Sequence, residues 1–528
     1  MKTGFLRCII CILLALPVVG RAQFIFTTNT DGTLNVYQYT GSGGAVTVPD
    51  TTNGLRITTI GNDAFSLVSG LTSLTFGTNV ASIGTNAVFQ CVNLTGASIP
   101  AGVTNIGPGP FFDCQKLTVI SLNASNQDFI VTNGALFNKS LTSLIQYPGG
   151  LAGSYTISAI VTNVGEAFIG NSLTAIAVNT TNAYYSSTNG VLFDKSQTYL
   201  IEYPGSLAGA YTVPHSVTTI EGASFEYSMG VTSVTIDTNV TSIGYAAFYD
   251  SAGLTGITVS STNAYYSSTN GVLFDKAKTT LIQYPCAVGG SYTVPGTVTN
   301  IEDGAFGNSF GLSEVIIPDS VTSIGLESFY ACWNMAGVSL GNHVGSIGVE
   351  AFFECTNLTD LTIPNTTTNI AQYAFYYCPA LASVTFGNGI RNLGFEAFAD
   401  CQSLAQVCFS GNAPVDGGSI FYFDFSLGAI NYVSSASGWG PTYDGILTTP
   451  VSTCGGAAPE LVISQAGTNV ILAWPDTFTG YTLQFTTNLD SPAVWTNAPP
   501  PAPVIFNSNY TVTNAITGPP KFYRLLGP

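Results

Sequence analysis

The sequence predicts a solenoid of short repeated coils, with a parallel β-sheet on one face and short helical turns and hairpins on the other, followed by a small all-β sandwich. Three observations carry that prediction. An Ile-Gly pair recurs along most of the chain, mainly at 23-residue intervals. Between the pairs, apolar and polar residues alternate as in a short strand. After Pro459 the repeat stops, and period-two alternation with turn punctuation takes over.

The first 22 residues read as a secretory signal peptide. Lys2 and Arg7 precede an apolar run from Cys8 to Val19, and Gly20-Arg21-Ala22 offers small residues for cleavage after Ala22. That run is too short to span a bilayer. No later segment is long and apolar enough, so an exported chain without a transmembrane helix is expected. Residues 23–53 follow as an N-terminal β cap. Phe24-Ile25-Phe26 and Val46-Thr47-Val48-Pro49 read as strands that pair with the first rung and cover its apolar end.

Residues 54–410 form the repeat array. The motif is roughly Ile-Gly-x-x-Ala-Phe-x-x-Cys-x-x-Leu-x-x-Val-x-Ile-Pro, with the first position at Ile60, Ile83, Ile106, Val164, Ile220, Ile243, Ile301, Ile324, Ile347, Ile370 and Leu393. A fixed period of this size signals coils that cannot bury their apolar set alone and share one core by stacking. Within a coil, Leu358-x-x-Leu361-x-Ile363 points apolar residues inward and Asp360 and Thr362 outward, and Pro364 ends the strand. Ala374-Phe375-Tyr376-Tyr377-Cys378 is placed as a helical turn on the opposite side, with the glycine after each Ile turning the corner. Three intervals are longer, and each holds a wide rung. The fifteen residues Thr181–Lys195 return unchanged at Thr262–Lys276, and a diverged copy runs from Thr132 to Lys139. Asn-Gly before Val-Leu-Phe-Asp predicts a hairpin, because both turn residues accept positive φ. The repeated string is therefore read as architecture and not as a duplicated active site.

Ile-Gly-x-x-Ala-Phe-x-x-Cys-x-x-Leu at this spacing, interleaved with Asn-Gly-Val-Leu-Phe-Asp-Lys and Leu-Ile-x-Tyr-Pro, resembles the BspA-type leucine-rich repeats of bacterial surface and secreted proteins. The resemblance covers about residues 54–410 and implies a leucine-rich-repeat solenoid. It also implies a role in adhesion and protein–protein interaction. Residues 411–458, with Gly438-Trp439-Gly440, resemble the C-terminal cap or linker that closes such arrays. Cys408 and Cys454 lie near and inside it, and a disulfide between them is a hypothesis. Residues 459–528 are expected to be a β-sandwich module that resembles a truncated fibronectin-type-III domain. Its strands are read at Val470–Trp474, Tyr481–Phe485 and Tyr510–Thr513, with Trp474 and Trp495 as buried types. The Ala498–Pro503 prolines are a rigid loop or a sandwich edge.

Composition narrows the function. With 8% charged and 45% hydrophobic residues the chain is too apolar to stay disordered. A net charge of −17 argues against a nucleic-acid partner. The cysteine column Cys91, Cys114, Cys332, Cys355, Cys378 and Cys401 shares its position with Val68, Ser228, Ser251 and Ser309, so packing explains it better than metal or disulfide chemistry. Ser309 and Ser339 sit in Gly-x-Ser-x-Gly matches, which lack the strand-to-helix context a nucleophile needs. His215 and His343 read as solvated turn residues. Asp194 and Asp275 read as hairpin turn carboxylates beside Lys195 and Lys276. No catalytic set, cofactor or metal is expected.

Outward strand residues make the candidate binding face: Ser73, Thr75, Ser98, Thr235, Thr258, Glu314, Ser339, Asp360, Thr362, Thr385 and Gln406, with Ser121 and Ser383 of the same kind. Tyr184, Tyr185, Tyr265 and Tyr266 of the wide rungs are a second candidate patch. The function expected is a secreted or cell-surface, non-catalytic scaffold for protein–protein or adhesive contacts, its partner an extracellular protein or glycan. The alternatives are an extracellular polysaccharide-acting or carbohydrate-binding protein and a passive envelope structural protein.

Overall fold

The computed structural model describes residues 23–454 and, beyond them, segments 461–466, 469–475, 482–486, 496–497, 504–506, 509–515 and 521–526. Residues 1–22, which the sequence reads as a signal peptide, together with Tyr481, Trp495 and the Ala498–Pro503 prolines, lie outside the described residues. Two compact units divide the chain, Met1–Gly271 and Val272–Pro528.

The first unit opens with an antiparallel pair, Phe24–Thr28 on Leu34–Tyr39. Leu34–Tyr39 then runs parallel to Leu55–Ile60, and the two-residue strands Ser82–Ile83 and Asn105–Ile106 continue that sheet. Ile60, Ile83 and Ile106 are thus in register, one above another. A second parallel sheet carries the longer strands Gly44–Thr47, Leu71–Thr75, Gly96–Ile99 and Val119–Leu122. Each ordinary coil therefore contributes two strands. The sequence reading found the longer one and took the Ile-Gly strand for a bare corner, because two residues are too few to show a period.

Wide rungs replace part of this pattern with hairpins. Phe129–Thr132 pairs with Ala135–Asn138, and Tyr185–Thr188 with Val191–Asp194. Their turns carry positive φ at both central residues, 50° and 81° at Asn133-Gly134 and 53° and 82° at Asn189-Gly190. This is the geometry that favours Asn-Gly.

In the second unit the Ile-Gly strands stack from Thr280–Gln283 through Asn300–Ile301, Ser323–Ile324, Ser346–Ile347, Asn369–Ile370 and Asn392–Leu393 to Val415–Asp416. The longer strands form Gly290–Thr293, Leu312–Ile316, Gly337–Ser339 and a further sheet of Asp360–Ile363, Ser383–Phe386, Gln406–Phe409, Ile430–Val433 and Ile446–Val451. Behind them the motif phenylalanines stack. Phe306, Phe329, Phe352, Phe375 and Phe398 lie 4.6, 4.8, 4.8 and 4.9 Å apart, with planes within 12° of parallel. All five are fully buried.

The Ala-Phe limbs are not helical turns, and no helix occurs among the described residues. Two features of each limb exclude one. Every fourth residue is left-handed: Glu327 and Ala331, then Glu350 and Glu354, Tyr373 and Tyr377, Glu396 and Asp400, with φ between 51° and 60°. The amides between them donate outward to the next coil, Glu327 to Val349 at 2.9 Å, Phe329 to Ala351 at 2.7 Å and Ala331 to Phe353 at 2.8 Å. An α-helix needs a right-handed backbone and an i→i−4 ladder. The left-handed conformation costs about 1–2 kcal/mol per residue, and the inter-coil bonds and buried rings offset it.

The chain after residue 410 keeps stacking. Ser419 and Phe423 repeat the left-handed pair. Trp439 lies on Tyr432 at 5.0 Å and donates from Nε1 to the Gly411 carbonyl. Cys408 and Cys454 form a disulfide. Farther on, two antiparallel sheets occur: Val462–Ala466, Asn469–Pro475, Asn509–Ala515 and Val504–Phe506 in one, and Thr496–Asn497, Thr482–Thr486 and Phe522–Leu526 in the other. Leu472, Trp474, Leu483 and Val512 are buried together between their residues.

Candidate functional site

The outward strand residues fall on four separate parallel sheets. In the first unit Thr75 registers with Ser98, and Ser98 with Ser121, while Ser73 faces Gly96. Thr235 registers with Thr258 on another sheet, and both are exposed. In the second unit Glu314 and Ser339 share one sheet. Asp360, Thr362, Thr385 and Gln406 share the next, with Asp360 beside Ser383 and Ser383 beside Gln406.

Part of this last group converges on a concavity. Ser383, Thr385 and Gln406 line a depression of about 200 Å³ together with Asn431, Thr453 and the Cys408–Cys454 disulfide. The disulfide holds the arm after Val451 against the strand face and walls the depression at one end. Ser383 Oγ donates to Asp360 Oδ1 at 2.6 Å, which fixes the carboxylate beside it. The lining offers hydroxyl and amide donors and acceptors over the buried Val384 and Val407. Its volume is below the roughly 300 Å³ at which small-molecule clefts begin, so it suits one protruding group of a larger partner.

The residues weighed for chemistry have structural tasks. Thiols of the column donate to a phenylalanine carbonyl of the preceding coil: Cys91 to Phe65, Cys332 to Phe306, Cys355 to Phe329, Cys378 to Phe352 and Cys401 to Phe375, at 3.0–3.3 Å. Ser251 does the same to Phe225 at 2.6 Å. The position takes a small side chain, and in these coils its donor caps a carbonyl. Burial pushes the Cys332 thiol up to about 12, the opposite of a reactive cysteine. Ser309 is buried and Ser339 is an exposed strand residue. His343 is exposed, with Nδ1 2.8 Å from the Asp319 carbonyl, and His215 is exposed, with Nδ1 3.1 Å from Asp237. Among the described residues no three His, Cys, Asp or Glu side chains are placed to hold a metal ion.

Asp194 closes its hairpin by accepting the amides of Thr198 and Tyr199, both at 2.7 Å. Asp275 accepts those of Thr279 and Thr280. The residue that sequence reasoning missed is the asparagine at the head of the repeated string. Asn182 is buried, donates to the Ser158 and Val161 carbonyls of the previous coil, and accepts from the Tyr184 and Tyr185 amides. Asn263 repeats this with Asp237, Val240, Tyr265 and Tyr266. Its signal was its recurrence at Asn126, which binds the Val103 carbonyl and the Phe129 amide. Tyr184 and Tyr265 are about half exposed, whereas Tyr185 and Tyr266 are partly buried.

One limb position of the first unit collects buried polar groups. Tyr227 reaches across limbs that carry Gly170 and Gly205, and a Cβ on Gly170 would sit 2.8 Å from Asp113 Cα. Its hydroxyl takes a hydrogen bond from Gln90 Nε2 at 2.5 Å and meets the Asp113 carboxyl. Burial drives Asp113 up to about 7 and Asp250 up as well, the latter also repelled by Asp113. Asp250 Oδ1 has no hydrogen-bond partner. Nearby, a cavity of about 250 Å³ is lined by Glu166, Glu202, Glu221 and Tyr185. Asn171 Nδ2 donates to Glu202 at 3.0 Å, and burial raises the Glu202 pKa well above the usual carboxylate range.

Comparison with known families bears on these coils directly. A model described as "BspA type Leucine rich repeat region (6 copies)" matches residues 35–152, 205–332, 284–405 and 322–440. The chain belongs to the BspA-type leucine-rich-repeat family. No curated protein matches it. Among solved structures, this BspA-type chain is similar to a leucine-rich cell surface protein of Faecalibacterium prausnitzii, at 23% identity over 79% of this chain and 95% of that one, with a TM-score of 0.37. It is also similar to the pneumococcal vaccine antigen PcpA, at 18% identity over 79% and 93%, TM-score 0.38. A leucine-rich repeat protein of Bacteroides ovatus gives 17% identity over 82% and 99%, TM-score 0.23. Proteins of this family are typically surface proteins.

Proposed function

We propose that this protein is a secreted or cell-surface, non-catalytic scaffold that makes protein–protein or adhesive contacts with an extracellular protein or glycan through its strand face. The observation that carries the reading is the convergence of Ser383, Thr385 and Gln406 on a polar depression walled by the Cys408–Cys454 disulfide. Registered strands hold these side chains rigidly, which lowers the ordering cost of binding. Export through residues 1–22 puts the chain in a compartment where the disulfide persists. Residues 23–53 and 411–458 cap the array of 54–410. Residues 459–528 are a β-sandwich of the fibronectin-III kind, and its two antiparallel sheets with shared buried residues support this.

Full chain applied to arrays of matrix proteins, envelope proteins and glycans tests the proposal. A ligand whose affinity falls about tenfold or more in Thr385→Arg and Gln406→Ala supports it, and binding indifferent to both substitutions rejects the strand face. Fractionating producing cells checks export, and deleting 459–528 shows whether that module anchors the protein. A polysaccharide-acting reading draws on the cavity lined by Glu166, Glu202 and Glu221, where burial raises the Glu202 carboxyl well above the usual range. Glycan cleavage that vanishes in Glu202→Gln would favour it.

A further inference from the structure

The limbs of the second unit carry a face that the strand-face reading leaves unused. Tyr330, Phe353 and Tyr376 stack in successive coils at 5.1 and 5.2 Å, with planes within 6° and 14°. Trp333 rests against Phe310 at 4.9 Å, and Tyr422, Phe423 and Phe425 form a chain of rings at 4.0 and 5.7 Å. Much of this aromatic surface is open: Trp333 is 46% exposed, Tyr422 52% and Phe425 84%. Rings of that size are normally buried, and a row of them on one face marks an interaction site.

The same limbs carry Glu327, Glu350, Glu354, Glu396 and Asp400. Burial pushes Glu327 up to about 7 and raises Glu350, Glu354 and Glu396. Among the described residues none of the five has an ion-pair partner. Asp424, between the exposed rings of Phe423 and Phe425 in the chain, leaves Oδ2 without a hydrogen-bond partner. From residue 301 to 458, Arg391 is the one Lys or Arg. The face is aromatic, acidic and without a cation of its own.

We propose that this limb face docks a Lys- and Arg-rich segment of a partner protein, with the cationic side chains lying over the rings and against the carboxylates. Cation–π attraction favours positive groups over Trp and Tyr and grows as water is excluded. Carboxylates in a poorly solvated setting attract a cation more strongly than solvated ones, and the same charge repels acidic partners. Four coil steps separate Tyr330 from Tyr422, about 19 Å at the usual strand spacing. About six extended residues span that length.

The proposal uses a different face from the strand-face ligand, so the two can fail separately. Full chain is titrated calorimetrically with a ten-residue Lys/Arg/Ser peptide and with a Glu/Ser peptide of equal length. The basic peptide is expected to bind and to weaken about tenfold when salt screens the pair, and the acidic one to give no heat. Combining Trp333→Ser, Tyr422→Ser and Phe425→Ser, or Glu350→Gln with Glu354→Gln, is expected to lower affinity about tenfold. Phe425→Ser alone, at the most exposed of these rings, is expected to lower it about threefold without touching the core. Thr385→Arg on the strand face is expected to leave peptide binding unchanged. No binding of the basic peptide at low salt overturns the proposal. Retention of full affinity in the serine variants overturns it too, because attraction would then be bulk charge alone.

Discussion

The limbs of the two units solve the same packing problem with different materials. In the second unit the coils repeat without interruption from Ile301 to Leu393, so Phe306, Phe329, Phe352, Phe375 and Phe398 stack face to face. In the first unit wide rungs interrupt the count. The ring column survives there in pieces, Tyr203 on Phe225 and Phe225 on Phe248 at 4.9 and 5.0 Å, and where Gly170 lets the backbones approach closely, Gln90, Asp113, Tyr227 and Asp250 form a buried polar group. Regular register lets one apolar side chain be reused, whereas broken register calls for side chains that reach, and the reaching ones here are polar.

The most severe break should come at the ring stack. Phe352→Ala removes a buried ring held at 4.8 Å on both sides and should cost about 3–5 kcal/mol, read from chemical denaturation, with exchange protection lost in the second unit. A cost under about 1 kcal/mol would fall below what the buried area of the ring alone is worth and would show that neighbouring coils close over the vacated space. Next comes Asn182→Ala, which orphans two carbonyls and two amides of a wide rung. About 2–4 kcal/mol is expected, with the loss confined to the first unit.

Burial raises carboxyls in both units, Glu327 to about 7 and Asp424 to about 8 in the second, and the polar cluster of the first can be tested by itself. Asp113 has a folded pKa of about 7, and that of Asp250 is also raised, so the folded state binds more protons than the unfolded state above the usual carboxylate pKa of 3.8. Stability is then full below about pH 4 and is lost as pH rises towards 7. Thermal melts at pH 5 and pH 8 should differ by on the order of 2 kcal/mol in favour of the acid side. Joint Asp113→Asn and Asp250→Asn substitution should shrink that difference. An unchanged pH slope in the double variant would show that the cluster is not the source. The smallest effect is expected at Cys355→Ser, within about 1 kcal/mol, because Ser251 already fills that column and donates to Phe225.

Much of this comparison can be read in the letters and some cannot. The Ile-Gly interval announces the coils, the Asn-Gly pairs announce the hairpins, and Cys408 and Cys454 suggested their own bond. The Ala-Phe limb misled, because Ala, Phe and Glu suit a helix and nothing in Glu327 or Ala331 advertises a left-handed backbone. Hydrogen bonds to the next coil impose that conformation, and they are non-local. The strand-face hydroxyls were legible as outward residues. Which of them meet at a depression depended on where the disulfide pulled the arm after Val451. Tyr227 reaching Gln90 lay beyond reach of the sequence, since it joins residues 137 positions apart.

The wide-rung asparagine has one more consequence. Asn182 and Asn263 grip their preceding coil through main-chain carbonyls, at Ser158 and Val161 in one place and Asp237 and Val240 in the other. Such a joint is indifferent to the side chains beneath it, so any coil of the right height is an acceptable seat. A gene of this kind can grow or shrink by whole cassettes, and a version lacking residues 181–261 should splice cleanly into a shorter, folded array.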